Sequence, residues 1–299
     1  MNKDINNDLN TILEPEKKLK IIEDVDVCVI GGSCTGVFAA VRAARLGMRT
    51  VIIEGQNCFG GVATNGLVNI WHSLHDNEHK EQIIGGLTCE VLDRLRKINC
   101  LFDNEKALRV NDYNAYYFNS EELKIELDKL VLENNIKPYL HTKYCSAITK
   151  NDEIQAIIIE NKDGRHAIKA KMFIDASGDG DLCRSVNVSH RAEKHTQPPT
   201  ACAKLYGMNK TDGFNIQQAL ADHGSDYGIP EDWGWNTIVP YCDDITMHAE
   251  THIFNVNCAK AKDLTFAEME GRRHIRAYMD MVRKYAPNGE KVVHASLCS

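Results

Sequence analysis

The stretch from Asp24 to Glu54 constrains this chain more than any other. Val25, Val27, Val29 and Ile30 form a short β-branched run that reads as a buried strand. Gly31-Gly32-Ser33-Cys34-Thr35-Gly36 follows at once. Val37 to Gly47 is rich in helix formers and ends on a glycine suited to a helix C-terminus. Val51-Ile52-Ile53 is a second buried strand, closed by Glu54. Strand, glycine turn, helix, strand and acid in that order make the first βαβ unit of a dinucleotide-binding domain.

Each position has a physical reason. Gly31 permits the tight turn out of the strand, and the turn's N–H groups reach a pyrophosphate at the positive helix N-terminus. Gly36 lets helix and strand approach closely. Glu54 lies about 20 residues past the first glycine, where a carboxylate accepts both hydroxyls of an adenosine ribose. It also repels a 2′-phosphate, which disfavours NADP. Ser33 stands where the G-x-G-x-x-G pattern has its second glycine. It is a small substitute, with a hydroxyl able to donate to phosphate.

Two later segments favour FAD over NAD. Gly60-Gly61-Val62-Ala63-Thr64-Asn65-Gly66 is a second glycine-rich loop. It suits the close approach of backbone to the phosphates and ribitol of an extended cofactor. Met172-Phe173-Ile174-Asp175-Ala176-Ser177-Gly178-Asp179-Gly180-Asp181 is a hydrophobic strand running into a small acidic turn. At the carboxyl edge of a parallel sheet, that is where a cofactor lies. Asp179 and Asp181 lack the further oxygen ligands of a calcium loop, and no metal site is read here.

Composition excludes several classes. The 299 residues are 43% hydrophobic and 26% charged, with net charge −7, as in an ordinary globular chain. No clustered basic footprint favours nucleic acid. No long uncharged apolar stretch spans a bilayer, and the polar N-terminus has no secretory h-region. Eleven cysteines stand without a C-x-x-C pair. Their odd number fits reduced, cytoplasmic thiols acting mostly as small hydrophobes. A site assembled from distant cysteines is invisible to spacing.

The whole arrangement resembles the FAD-dependent oxidoreductases of the glutathione-reductase-like flavoprotein superfamily, in the group near heterodisulfide reductase. The resemblance rests on VDVCVIGGSCTGVFAAVRAARLG, VIIEGQNCFGGVATNGLVN, IIGGL, FNSEELKIELDKLV, FIDASGDGDL, QPPT and LTFAEMEGRRHIRAYMDMVRKYAP. It implies pyrophosphate contacts from Gly31, Gly32, Ser33, Cys34, Thr35 and Gly36, and a ribose contact from Glu54. It implies flavin-side contacts from Gly60, Gly61 and Thr64. The turn Ser177-Gly178-Asp179 would close over the cofactor, and Tyr144 would touch adenine through its backbone. Members of this group can carry a [4Fe–4S] iron-sulfur cluster, but this chain has no C-x-x-C-x-x-C run. Family members also continue past the position of Ser299, so a C-terminally truncated chain is expected.

The expected fold is α/β: a Rossmann-like FAD/NAD(P)-binding domain, with a central parallel sheet and an antiparallel meander insertion, plus a smaller α+β substrate-covering region. Residues 1–22 read as a polar lead-in with a frayed helix over Glu14 to Lys20. Residues 23–187 make the FAD-binding domain and 188–299 the covering region, itself incomplete. Helices are expected over Ile84 to Ile98 and from Ser120, the latter with Ser120 as N-cap. A strand is expected over Tyr139 to Thr142. The meander occupies Tyr144 to Thr149, Ile154 to Ile159 and His166 to Lys171. Trp233, Trp235 and Tyr241 lie among turn residues, and His248 to Val256 alternates as a strand. A last helix is capped by Thr265 and Glu268, with Met269, Ile275, Met279 and Val282 buried.

A flavin supplies hydride or electron transfer, and the protein supplies orientation and a proton. His72 follows the second glycine loop and is the candidate acid/base, since imidazole titrates near neutral pH. His75 and Arg191 are weaker candidates. The expected function is an FAD-dependent oxidoreductase of a small organic substrate, with an electron-transfer partner as a further expectation. The alternatives are an NAD-binding dehydrogenase and a truncated, non-catalytic flavoprotein remnant. Substrate, electron acceptor and oligomeric state are not written in the sequence.

Overall fold

A computed structural model describes residues 11–78, 80–103, 115–191, 197–230 and 234–299. The β-branched run forms a strand from Ile21 to Ile30 (β1), with a helix, Cys34–Arg45 (α1), and a strand, Thr50–Ile53 (β2), behind it. Three short strands follow, Ile70–Trp71 (β3), Leu101–Asp103 (β4) and Tyr116–Phe118 (β5), around a helix, Leu87–Lys97 (α2). Helix Ser120–Glu133 (α3) leads to Lys137–Tyr139 (β6). The meander is Lys143–Lys150 (β7), Glu153–Asn161 (β8) and Gly164–Asp175 (β9), and a short helix, Asp181–Ser185 (α4), follows it.

These strands form one sheet in the order β6-β2-β1-β9-β8-β7. The first four are parallel, and β8 and β7 run antiparallel. Val27, Val29 and Ile52 face the helices, packing with Val37, Val41, Leu123, Leu127 and Leu130. Cys28, Ile30, Val51 and Ile53 face the other way, against Ile157, Ile159 and Ile168 of the meander. Both faces of β1 and β2 are therefore covered, which is why they read as unbroken apolar runs. The sequence suggests separate segments for the meander and the return to the main sheet. Here β9 is one 12-residue strand that serves both.

The second region begins with Thr200–Tyr206 (β10), followed by Ile216–His223 (α5), Trp235–Val239 (β11), Cys242–His252 (β12), Ala261–Tyr285 (α6) and Val293–Leu297 (β13). Its sheet is antiparallel, in the order β11-β12-β10-β13. One face carries Ala203 and Leu205 against Tyr278, Met279 and Val282 of α6. The other carries Cys202, Met247 and Ala249 against Leu67 of the first region.

Several expected boundaries move. Residues 14–20 form no helix, because a single apolar residue, Leu19, over about two turns cannot hold an isolated short helix. α2 starts at Leu87, after Gly86 with φ +64°. Asn119, not Ser120, caps α3, its side chain accepting from Glu121 N at 3.0 Å. The strand expected at Tyr139–Thr142 is Lys137–Tyr139, where Pro138 is tolerated because β6 is an edge strand. The strand expected at His248–Val256 is Cys242–His252. Trp233 lies outside the described residues, Trp235 opens β11, and Tyr241 makes the β11–β12 turn at φ +57°. The Thr265–Glu268 capping box is absent, since α6 begins at Ala261 and Thr265 Oγ1 donates back to Ala261 O at 2.8 Å. Met269 is 65% exposed, while Ile275, Met279 and Val282 are buried as expected.

An ion-pair network ties the helices on the covered face of the parallel sheet. Arg45 of α1 donates Nη1 and Nη2 to Glu90 of α2 at 2.7 and 2.9 Å, and Arg94 donates to Glu90 and Glu133 at 3.1 and 2.6 Å. The Arg45 hydrogen bonds are the main cause holding the Glu90 carboxyl down to about 2, from an ordinary 4.5. A folded carboxyl more acidic than its unfolded counterpart contributes stability above 4.5 that is lost as pH falls to about 2. Urea unfolding across this acid range should show Glu90→Gln less stable than the parent at neutral pH and converging on it below about pH 3. Parallel curves would refute this assignment.

Candidate cofactor and active site

The carboxyl ends of β1, β2 and β9 meet at the first glycine turn. Gly31 N donates to Ile53 O at 2.9 Å, and Ala176 N to Ile30 O at 2.7 Å. Gly31 has φ +94°, and a Cβ there would lie 2.3 Å from Ala176 O. A Cβ on Gly36 would lie 2.0 Å from Gly31 O. Both glycines are therefore required by close backbone crossing as well as by the turn. Ser33 caps α1: its Oγ accepts from Gly36 N at 3.3 Å and donates to Ala176 O at 3.4 Å. The hydroxyl proton thus has an acceptor within the chain, Ala176 O. Cys34 and Thr35 open the helix, Thr35 is exposed, and no acidic residue sits in the first turn to repel an anion.

The second glycine loop lies directly on the first. Gly60 N donates to Gly32 O at 2.8 Å, and Ser33 and Gly60 form a parallel bridge. The Cys34 thiol donates to Gly60 O at 3.6 Å, and burial pushes that thiol up to about 12, so it stays a neutral donor. Gly60 and Gly61 have φ +108° and +56°. Thr64 is fully buried, its Oγ1 donating to Phe59 O at 2.7 Å and its N–H to Gly61 O at 3.1 Å. Its polar donors thus hold the loop's shape.

Glu54 binds the glycine turn itself. Oε2 accepts from Gly32 N at 2.6 Å and Oε1 from Gln56 N at 2.7 Å. A carboxylate has about four acceptor sites, so two remain for ribose hydroxyls. Beside it opens a cavity of about 320 Å³ lined by Gly31, Glu54, Gln56, Lys143, Tyr144 and Ser177, among others. Tyr144 lines this cavity, with its hydroxyl on Ser185.

Asp175 carries no signal in its residue type, yet it organises the turn Ser177-Gly178-Asp179. Its Oδ1 accepts from Ser177 N and Oγ at 3.1 and 2.7 Å, and its Oδ2 from Cys183 N at 3.0 Å. Burial pushes this carboxyl up, but the hydrogen bonds from Ser177 and Cys183 outweigh it and hold it below the usual range. Gly178 and Gly180 take φ +93° and +70° with open space where a Cβ would stand, and Asp179 lies between them. Burial, and then Asp179 and Asp175, raise the Asp181 carboxyl.

The chain matches the protein family described as FAD dependent oxidoreductase over residues 26–297. The chain belongs to that family. Its sequence is 36% identical to mitochondrial dihydrolipoyl dehydrogenase of Schizosaccharomyces pombe over 52% of this chain and 28% of that protein. It is 41% identical to the Caenorhabditis elegans mitochondrial enzyme over 19% of this chain and 13% of that protein. The chain thus spans less than a third of the length of these curated relatives. Among solved structures, p-nitrophenol 4-monooxygenase PnpA from Pseudomonas putida superposes with TM-score 0.58 at 12% identity, covering 93% of this chain and 67% of that one. A triple mutant of the flavin-dependent brominase Bmp2 gives 0.55 at 14% identity, covering 91% and 66%. At these identities the likeness is one of fold.

FAD is the cofactor of this family member, and the residues present fit it. The glycine crossings, the outward-facing start of α1, the Glu54 cavity and the adjoining second loop form one continuous track of backbone and carboxylate groups. Among the described residues, no group of three or more His, Cys, Asp or Glu side chains could hold a metal ion. None of their helices is long and apolar enough to cross a membrane.

The antiparallel sheet is latched over the second loop. Asn69 Nδ2 donates to Phe118 O and to Ile238 O, both at 3.0 Å, and Ser299 N donates to Asn65 O at 3.0 Å. Lys204, 7% exposed, reaches across to Glu121 at 2.8 Å. Thr237, Met247, Lys204 and Ser296 form one cross-strand row on this face. Asn65 Nδ2, Asn69 Oδ1, Thr237 Oγ1 and Ser296 Oγ are buried there without a hydrogen-bond partner. His72 is exposed, next to Trp71, whose ring packs against Phe38 and Phe118 at 6.4 and 5.1 Å. His75 is half-buried, with Nδ1 unpaired. Arg191 is exposed.

Proposed function

We propose that this chain is the cofactor-binding and substrate-covering part of an FAD-dependent oxidoreductase acting on a small, polar organic substrate. The observation that carries the reading is the parallel bridge between Ser33 and Gly60, which joins two glycine loops end to end along one cofactor track. An extended cofactor needs both loops, whereas an NAD domain needs the first alone. Bound FAD supplies hydride or electron transfer. The protein's residues bind and orient: the α1 N-terminus takes the pyrophosphate, Glu54 takes the ribose, and the Asp175-held turn closes over the middle.

The latched sheet face supports the substrate side. Unpaired buried polar atoms cost about 1–3 kcal/mol each, so a polar substrate is favoured where Asn65, Asn69, Thr237 and Ser296 lie. His72 is the proposed acid/base, and its exposure lets it exchange protons with solvent. The cysteine usage supports a cytoplasmic protein.

Titration of the purified chain with FAD and, separately, NAD tests the reading. FAD is expected to bind with a shifted flavin absorption spectrum, and NAD is expected to leave the protein unchanged. NAD binding without FAD binding would sink the proposal. His72→Asn should retain flavin binding while slowing flavin reduction by substrate about 10²–10⁴-fold.

A further inference from the structure

The cysteines that are scattered in sequence are not all scattered in space. The register Ala203↔Leu297 and Lys204↔Ser296 between β10 and β13 sets Cys202 directly opposite Cys298. Cys298 N donates to Cys202 O at 3.0 Å. Cys202 N donates to the Cys298 sulfur at 3.1 Å, so that sulfur already leans across to the neighbouring strand. Residues opposite one another in an antiparallel pair have Cα atoms about 4.5–5.5 Å apart, within the ~4.4–6.8 Å that a disulfide spans. Their side chains share a face, and both pack with Leu67, Met247 and Ala249. No disulfide joins them in the structure.

We propose that Cys202 and Cys298 are a two-electron redox couple that closes to a reversible cross-strand disulfide, with a low-molecular-weight disulfide such as oxidised glutathione as oxidant. Access sets the order of events. Cys298 is half-buried and lines a cavity of about 60 Å³ beside Cys258 and Glu268, whereas Cys202 is buried. The Cys298 thiolate attacks one sulfur of the oxidant, whose S–S bond breaks and releases one glutathione thiolate. Cys202 then loses its proton and attacks the Cys298 sulfur, displacing the second glutathione. Two protein thiols are oxidised, one small disulfide is reduced to two thiols, and the two protons leave with them. Burial raises the Cys298 thiol, so the first step should quicken as pH rises above the ordinary thiol value of about 8.5.

The bond has a structural consequence. Ser299 N donates to Asn65 O at 3.0 Å, so the chain just past β13 and Cys298 rests on the second glycine loop. Closing the pair fixes β13 to β10 covalently beside the face that covers the cofactor track.

Peptide mapping of the full chain tests this. The reduced protein is incubated with oxidised glutathione at mildly alkaline pH, quenched by alkylation and digested. One cross-linked peptide containing Cys202 and Cys298 is expected, lighter by two hydrogens and abolished by dithiothreitol. In Cys202→Ser, Cys298 should instead carry a glutathione adduct. The proposal is overturned if the parent protein keeps both thiols alkylatable, if Cys298 holds its glutathione adduct, or if Cys298 pairs with Cys258. The parent digest decides the matter, so the result does not depend on a variant folding.

Discussion

Gly31→Ala is expected to abolish FAD retention. The new Cβ would stand 2.3 Å from Ala176 O and 2.7 Å from Ser177 Cα, both backbone atoms that cannot swing aside. The φ of +94° is strained for any L-residue besides. Relief requires β1 and β9 to part at the proposed pyrophosphate crossing. That removes the Ala176–Ile30 hydrogen bond between them and distorts the proposed path of the cofactor. A loss of 100-fold or more in FAD affinity corresponds to about 2.8 kcal/mol. Flavin fluorescence titration measures it, with circular dichroism confirming that the chain still folds. Affinity within a factor of about three of the parent, less than 1 kcal/mol, would show that the turn does not carry the cofactor.

The second large effect is expected from Asp175→Asn. Three donors converge on this carboxylate, and an asparagine accepts through one oxygen only. Its amide nitrogen would then face the N–H of Cys183, donor against donor. Hydrogen bonds to a charged group contribute about 1.5–3 kcal/mol, so losing one and weakening two should loosen Ser177-Gly178-Asp179 markedly. FAD affinity should fall by about 10–100-fold, with overall stability falling as well. The parent should show an acid counterpart. Asp175 is held below its ordinary pKa, so its contribution is complete above that value and fades as pH drops below it. Asp175→Asn should lack this acid-dependent loss of flavin affinity. Identical acid profiles in the two proteins would remove Asp175 from the site.

The Rossmann half was legible because its signals are local. The apolar runs at Val25–Ile30 and Val51–Ile53 have strand length, and Gly31 and Gly36 punctuate them. The meander was equally open, since Asn151 and Asp152 both accept the positive φ that a tight hairpin demands. Sequence and structure part where two local signals compete. Asn119 and Ser120 are both good caps, and only the end of β5 at Phe118 selects Asn119. Thr265 and Glu268 have capping-box spacing, but the helix starts four residues earlier and makes that spacing an interior one.

Sequence alone determined the order strand, glycine turn, helix, strand and acid, because hydrophobic run length and glycine placement act within a few residues. It also located the carboxylate of Glu54 and the second glycine loop. Tertiary structure alone decided what those groups touch. It turned the Ser33 hydroxyl inward to Ala176, 143 residues away, and placed the Glu54 carboxylate on Gly32 N. It made Asp175 the anchor of a turn, latched Lys204 to Glu121, and set Cys202 against Cys298. Pairing across such separations depends on sheet order and register, which leave no periodic mark in the chain itself.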